Sequence, residues 1–236
     1  MTQNPKMPAA PTPRQHEGSA DSWFCRDPGL ALLHQVQRES IPELTRVFGH
    51  TGLYLRPCRA LPEALSGNML AQVLPLYRQR QGFAGALACR DEALPLASGS
   101  LSLVYALCVL ETSWEPDALV GEIARVLKPG GVALLASLNP WGLARLRWSF
   151  RGLRGIDPVH LGQQVVDHGL EIERQHWLGP VWAPASGLEL REPRGQGFFA
   201  GLRAAHLVVA RRREPGMTPL RAGAPSMALR PGMTPG

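Results

Sequence analysis

Four sites in this chain combine residue types and spacings that could do chemistry. Asp91 and Glu92 form an acidic pair just before Leu94-Pro95. Cys108 and Glu111 follow the apolar run 101–107, and Asn139 and Trp141 follow the apolar run 132–138. A carboxylate or amide just past a buried strand can hold a substrate or move a proton. For Glu111 the competing reading is a first-turn helix carboxylate, and for Asn139 a turn residue before Pro140. Arg145, Arg147 and Arg151, interleaved with Trp141 and Trp148, could stack against and clamp an anionic or aromatic ligand. The preferred reading of that stretch is an amphipathic cover helix with a solvated basic side.

Other arrangements point away from chemistry. His160, His168 and His176 could supply a base, but they recur every eight residues, which suits neither a metal pair nor one helix face and favours a structural role. The four cysteines, Cys25, Cys58, Cys89 and Cys108, form no C-x-x-C pair, so a zinc site or redox dithiol is not indicated. They are expected to be reduced and mostly buried thiols.

The elements that must position these residues can be read from apolar spacing. Leu30, Leu33, Val36, Ile41, Leu44 and Val47 make a helical stripe over 29–48, bent at Pro42. Short strands are predicted at 52–55, 73–77 and 84–88. The run 101–107 is apolar throughout, as a central parallel strand covered on both faces must be. Pro116 opens a helix whose Leu119, Val120, Ile123, Val126 and Leu127 share a face, with Lys128 at its end and Pro129-Gly130-Gly131 as the stop. The strand 132–138 then completes a βαβ unit. A helix over 160–168 capped by Gly169, a strand at 170–174, the loop-rich region 178–203 and a last strand at 205–211 follow.

Composition bounds the rest. The chain has 236 residues, 44% of them hydrophobic, which is enough for one ordinary domain. Residues 1–21 and 214–236 lack an apolar period and are expected to be disordered tails flanking a domain at 22–213. The pentapeptide Pro-Gly-Met-Thr-Pro occurs twice in the second tail, at 215–219 and 231–235. The net charge of +6 suggests nucleic acid only at first sight. Arg211, Arg212, Arg213, Arg221 and Arg230 concentrate it near the C-terminus, so the core does not indicate nucleic acid. No apolar run is long enough to span a bilayer, so no membrane association is expected, and the first residues lack a secretory h-region. The expected location is cytoplasmic. Oligomeric state is not legible.

The segment from Leu94 to Gly131 strongly resembles the middle of the type 11 S-adenosylmethionine-dependent methyltransferases. The matching pieces are Leu94-Pro95-Leu96, Leu103-Val104, Leu110-Glu111, Glu115-Pro116 and Arg125-Val126-Leu127-Lys128-Pro129-Gly130-Gly131. Ser137 to Leu143 and the closing HLVVARRRE resemble a small bacterial group within that superfamily, over roughly residues 28–215. The resemblance implies an α/β fold, a three-layer Rossmann-like class I methyltransferase sheet of about seven strands with the last antiparallel. The residue-level strand count reaches the same number. The implied cofactor is S-adenosylmethionine, and the implied partner is a methyl acceptor of unknown kind.

Three devices bind that cofactor in the family, and this chain departs from each. The glycine-rich turn after the first strand is replaced by Arg56-Pro57-Cys58-Arg59-Ala60. The ribose carboxylate expected after the second strand has no counterpart in Val73 to Arg80. The adenine-binding Asp falls at Arg90, with Asp91 beside it. Carried over by position, the cofactor would lie near Arg56, Pro57, Arg90, Asp91, Leu107 and Cys108. Glu111, Asn139 and Trp141 would face the substrate, with catalytic residues unassigned. The implied function is methyl transfer from S-adenosylmethionine. The alternative is a catalytically inactive binding or regulatory module on the same fold. A dinucleotide oxidoreductase would need G-x-G-x-x-G, which is absent.

Deleting residues 1–21 and 214–236 together should shift the unfolding midpoint by no more than about two degrees. Loss of folded protein on deletion would show that one end packs into the domain.

Overall fold

The computed structural model describes residues 23–80, 82–151, 153–181 and 200–213. The expected tails, and most of the region 178–203, lie outside the described residues. Helix α1 (Asp27–Leu44) opens with Pro28 in its first turn and buries Leu32, Leu33, Val36 and Leu44. It ends two residues after Pro42, short of the expected 48, and Val47 leads directly into β1 (Phe48–Arg56). Strand β2 (Met69–Gln79) pairs with β1 in parallel, from Phe48 opposite Met69 to Arg56 opposite Tyr77. Residues 57–68 between them make turns and no helix.

The expected strand 84–88 is corrected to an antiparallel hairpin, β3 (Gly82–Gly85) and β4 (Cys89–Arg90), folded back along β2. Gly85 ends β3 with φ +139, a conformation a side chain would resist. Strand β5 (Leu101–Leu107) joins β1 on its other side in parallel. A 3₁₀ turn (Leu110–Thr112) leads to α2 (Pro116–Val126) and back to β6 (Leu127–Leu138), which pairs with β5 in parallel as the expected βαβ unit. Strand β6 starts five residues earlier than expected, because Leu127 pairs with Leu101. The register shift beyond that pair accommodates Pro129, which has no N–H, and Gly130 at φ +73.

Two 3₁₀ turns (Leu143–Arg147 and Ser149–Arg151) replace the expected cover helix. They bury Ala144 and Trp148 and leave Leu146 and Phe150 exposed. Helix α3 (Pro158–Asp167) is capped by the Asp157 carboxylate, which accepts the Val159 N–H. Strands β7 (Leu170–Leu178) and β8 (Ala205–Arg212) finish the chain, with β8 antiparallel to both its neighbours. The sheet therefore has eight strands in the order β4-β3-β2-β1-β5-β6-β8-β7, the hairpin supplying the extra one.

The core lies on both faces of this sheet. On one face α1 packs over Tyr54, Tyr105, Leu134 and Leu207. On the other, α2 and α3 pack over Leu53, Val104, Leu135 and Val208. None of the described helices is long and apolar enough to cross a membrane. Of the cysteines, Cys58 and Cys108 are buried, Cys89 is partly covered and Cys25 is exposed, so fewer are buried than expected.

Ile123 is wholly buried in the α2 face of the core. Ile123→Ala should cost about 2–5 kcal/mol in denaturant unfolding, and Ile123→Asp should not fold. A tolerated Asp would contradict the packing of α2 against the sheet.

Candidate functional site

The chain leaves β1 for β2 on one side and later returns to β5 on the other. In an open α/β sheet that reversal leaves a crevice beyond the carboxyl ends of the two flanking strands, the usual ligand position. The residues at this end were therefore the candidates, and each has a definite place.

Arg56, the last residue of β1, is fully buried on the α1 face. It donates to the Leu61 carbonyl, approaches Glu63 Oε1 at 3.4 Å, and lies 5.9 Å from the rings of Tyr54 and Tyr77. Pro57 is buried beside it. On the opposite face, near the end of β2, Arg78 is also buried. Its guanidinium donates to the Asp91 carboxylate, to Thr112 Oγ1 at 3.0 Å and to the Val109 carbonyl at 3.0 Å. It also stacks over Phe83, 4.1 Å from the ring centroid. The second oxygen of Asp91 accepts from Ser113 Oγ at 2.6 Å. Arg90 points outward and is exposed.

Leu107 and Cys108 are wholly buried at the end of β5. Cys108 holds φ +46, an uncommon conformation for a residue with a side chain, while its N–H donates to the Ala136 carbonyl at 2.8 Å. Burial pushes its thiol well above the usual range. The Glu111 carboxylate turns inward: one oxygen accepts the Leu138 N–H and the other is buried without a partner. Burial pushes its pKa up to about 7, against the pull of its backbone hydrogen bonds. Asn139 is a turn residue. Its amide donates to the Gly201 and Arg203 carbonyls at 2.8 Å each, and its oxygen accepts the Trp141 N–H. Trp141 itself is 65% exposed.

The three histidines have different surroundings. His168 lies 3.1 Å from Asp117 and His176 3.2 Å from Glu43, while His160 is exposed in the first turn of α3. No group of three metal-ligating side chains occurs among the described residues. A cleft of about 370 Å³ opens between the starts of α2 and α3, lined by Glu115, Asp117, Ile156, His160 and Gln164, to one side of the β1–β5 crevice.

Sequence reasoning missed Arg78, Ser137 and His206. Ser137 and His206 are cross-strand partners on β6 and β8, both buried, with Ser137 Oγ and both His206 ring nitrogens unpartnered. Burial pushes His206 down to about 4. Nothing in their local sequence distinguishes them from strand residues. Arg78 had a signal, a cation within the largely apolar stretch that ends β2.

The sheet order, the helices on both faces and the position of this crevice define a class I methyltransferase fold. Residues 49–135 match the family model described as a methyltransferase domain. The chain is 40% identical over 111 residues to the malonyl-[acyl-carrier protein] O-methyltransferase of Laribacter hongkongensis, a match covering 46% of this chain and 37% of the relative. It is 33% identical over 110 residues to the biotin biosynthesis bifunctional protein BioHC of Cellvibrio japonicus, covering 46% of this chain and 22% of the relative. The chain thus spans well under half the length of these curated relatives. Among solved structures it superposes on a chain of the complex between the Haloferax volcanii Trm112 methyltransferase activator and a methyltransferase. That match has a TM-score of 0.53 at 15% identity, over 84% of this chain and 97% of the other. A S-adenosylmethionine-dependent methyltransferase of Thermotoga maritima matches with a TM-score of 0.50 at 12% identity, over 84% and 100%. These last likenesses establish the fold alone.

The residues at the crevice do not fit the cofactor as they are folded. Arg56 and Arg78 lie buried at the ends of β1 and β2, no glycine turn follows β1, and Asp91 already has both oxygens engaged. A guanidinium has no lone pair with which to accept ribose hydroxyls.

Glu111 and His206 give this end a pH signature. Glu111 has a raised pKa in the fold, so its contribution is full below about 4.5 and is lost as pH rises through about 7. His206 has a depressed pKa, so its contribution is present above about 6.5 and is lost as pH falls toward 4. The two oppose each other, and a variant separates them. Glu111→Gln should be about as stable as wild type near pH 5 and more stable near pH 8, by roughly 3 kcal/mol, in urea unfolding. An identical pH dependence in the two proteins would show that Glu111 is ionised in the fold.

Proposed function

We propose that this chain is a S-adenosylmethionine-dependent methyltransferase whose acceptor is an anionic oxygen, with a carboxyl group as the first candidate. The observation that carries the reading is the type 11 segment, residues 49–135, folded around the β1–β5 switch point where such enzymes hold their cofactor. The side chains at this end support the acceptor class. Glu111 faces the interior, Asn139 is committed to three backbone partners, and His206 is buried and neutral at pH 7. None of these is placed to take a proton from an incoming acceptor, and an acceptor that is already anionic needs no such base. Relatives named for methylating malonyl-[acyl-carrier protein] agree with a carboxyl acceptor.

A second reading, a binding module without catalysis, is favoured by one observation: Arg56 and Arg78 are buried where β1 and β2 end. The two readings part in a thermal-shift titration with S-adenosylmethionine. The methyltransferase reading expects a saturable rise in the unfolding midpoint only toward millimolar cofactor, because two charge-assisted contacts worth about 1.5–3 kcal/mol each are missing. No shift at millimolar concentration would leave the non-catalytic module standing.

A further inference from the structure

We infer that Arg78 is an internal occupant of the cofactor crevice, and that S-adenosylmethionine enters only where the Arg78–Asp91 pair has parted. The inference rests on the methyltransferase reading and deepens it.

The placement of the guanidinium carries the argument. Arg78 belongs to β2, yet it donates to Val109 and Thr112, which follow β5. Strand β1 lies between β2 and β5 in the sheet, so the side chain reaches across the end of β1, over the switch point itself. Toward the sheet edge the same guanidinium binds Asp91 and lies 3.4 Å from the Gly82 carbonyl. One side chain thus ties together β2, the β3–β4 hairpin and the turn after β5. Those are the segments between which a ligand at the switch point would have to sit.

The pair also uses up the chemistry that a cofactor needs. Asp91 is the acidic residue nearest the position that the family resemblance gives to the adenine acceptor. In the fold it is nearly sealed, with one oxygen on Arg78 and the other on Ser113. A ligand amino group can reach that carboxylate only in competition with a guanidinium already desolvated around it. A buried ion pair of this kind is hard to part, since each charge left alone would be stranded in a low-dielectric site. Arg78 is therefore more than a lost ribose carboxylate, because it puts a donor where an acceptor is required and withholds Asp91 as well.

The test uses the full chain, with S-adenosylhomocysteine and S-adenosylmethionine as probes in isothermal titration calorimetry. Arg78→Ser should bind either probe at least about tenfold more tightly than wild type, the equivalent of one released charge-assisted hydrogen bond. The double variant Arg78→Ser/Asp91→Asn should lose that gain. Arg78→Lys, which keeps the cation with fewer donors, should bind a fewfold more tightly and serves if Arg78→Ser does not fold. Equal affinity of wild type and the folded Arg78 variants would overturn the inference while leaving the methyltransferase reading intact. No binding by any folded protein at millimolar probe would overturn both.

Discussion

A guanidinium removed from water must have its donors met and its charge balanced, and at the carboxyl end of this sheet that requirement governs the local structure. Arg78 obtains its partners from Asp91, Thr112, Val109 and the ring face of Phe83. None of these lies in its own strand. The β3–β4 hairpin must fold back for Phe83 and Asp91 to reach it, and the turn after β5 must present Val109 and Thr112. Removing the carboxylate alone would leave the cation buried and unpaired, a more costly state than never having had the pair. The hairpin, the end of β2 and the entry to α2 are thereby one coupled unit.

This coupling sits on an otherwise ordinary class I sheet. The βαβ unit from β5 through α2 to β6 is deeply apolar, and β8 runs antiparallel between β6 and β7 as the fold requires. The departures are confined to one side of the switch point. Residues 57–68 connect two parallel strands without a helix, and a hairpin occupies the edge beyond β2. That is also the side from which the glycine turn and the ribose carboxylate are missing. The losses in sequence and the losses in architecture coincide, and Arg56 and Arg78 are buried at the strand ends on that side.

The legible parts of the fold were those where period and burial agree. The strand 101–107 and the helix from Pro116 were readable because Leu103, Val104, Ile123 and their neighbours are buried on a face that spacing alone defines. The hairpin was not readable, since Gly82 to Arg90 is too short and mixed to show a direction, and antiparallel pairing is decided by partners in β2. The start of β6 was misplaced because Lys128-Pro129-Gly130 has the composition of a helix stop, while pairing of Leu127 with Leu101 overrides it. At the site, the absence of glycine after Arg56 was visible at once. What filled the gap was not, because Arg78 acts through contacts 13 to 34 residues away. The inward turn of Glu111 and the orphaned His206 likewise depend on which strand lies opposite.

If a buried Arg78 holds the crevice shut, the side-chain Nε–H resonance of that residue must report it. In ¹⁵N–¹H spectra of the free protein this Nε–H, which donates to Thr112 Oγ1, should be sharp and slow to exchange with solvent. Addition of S-adenosylmethionine to saturation should shift it and speed its exchange as the pair with Asp91 parts. A resonance that exchanges rapidly in the free protein, or one that a bound cofactor leaves unchanged, would show that Arg78 does not hold the crevice shut.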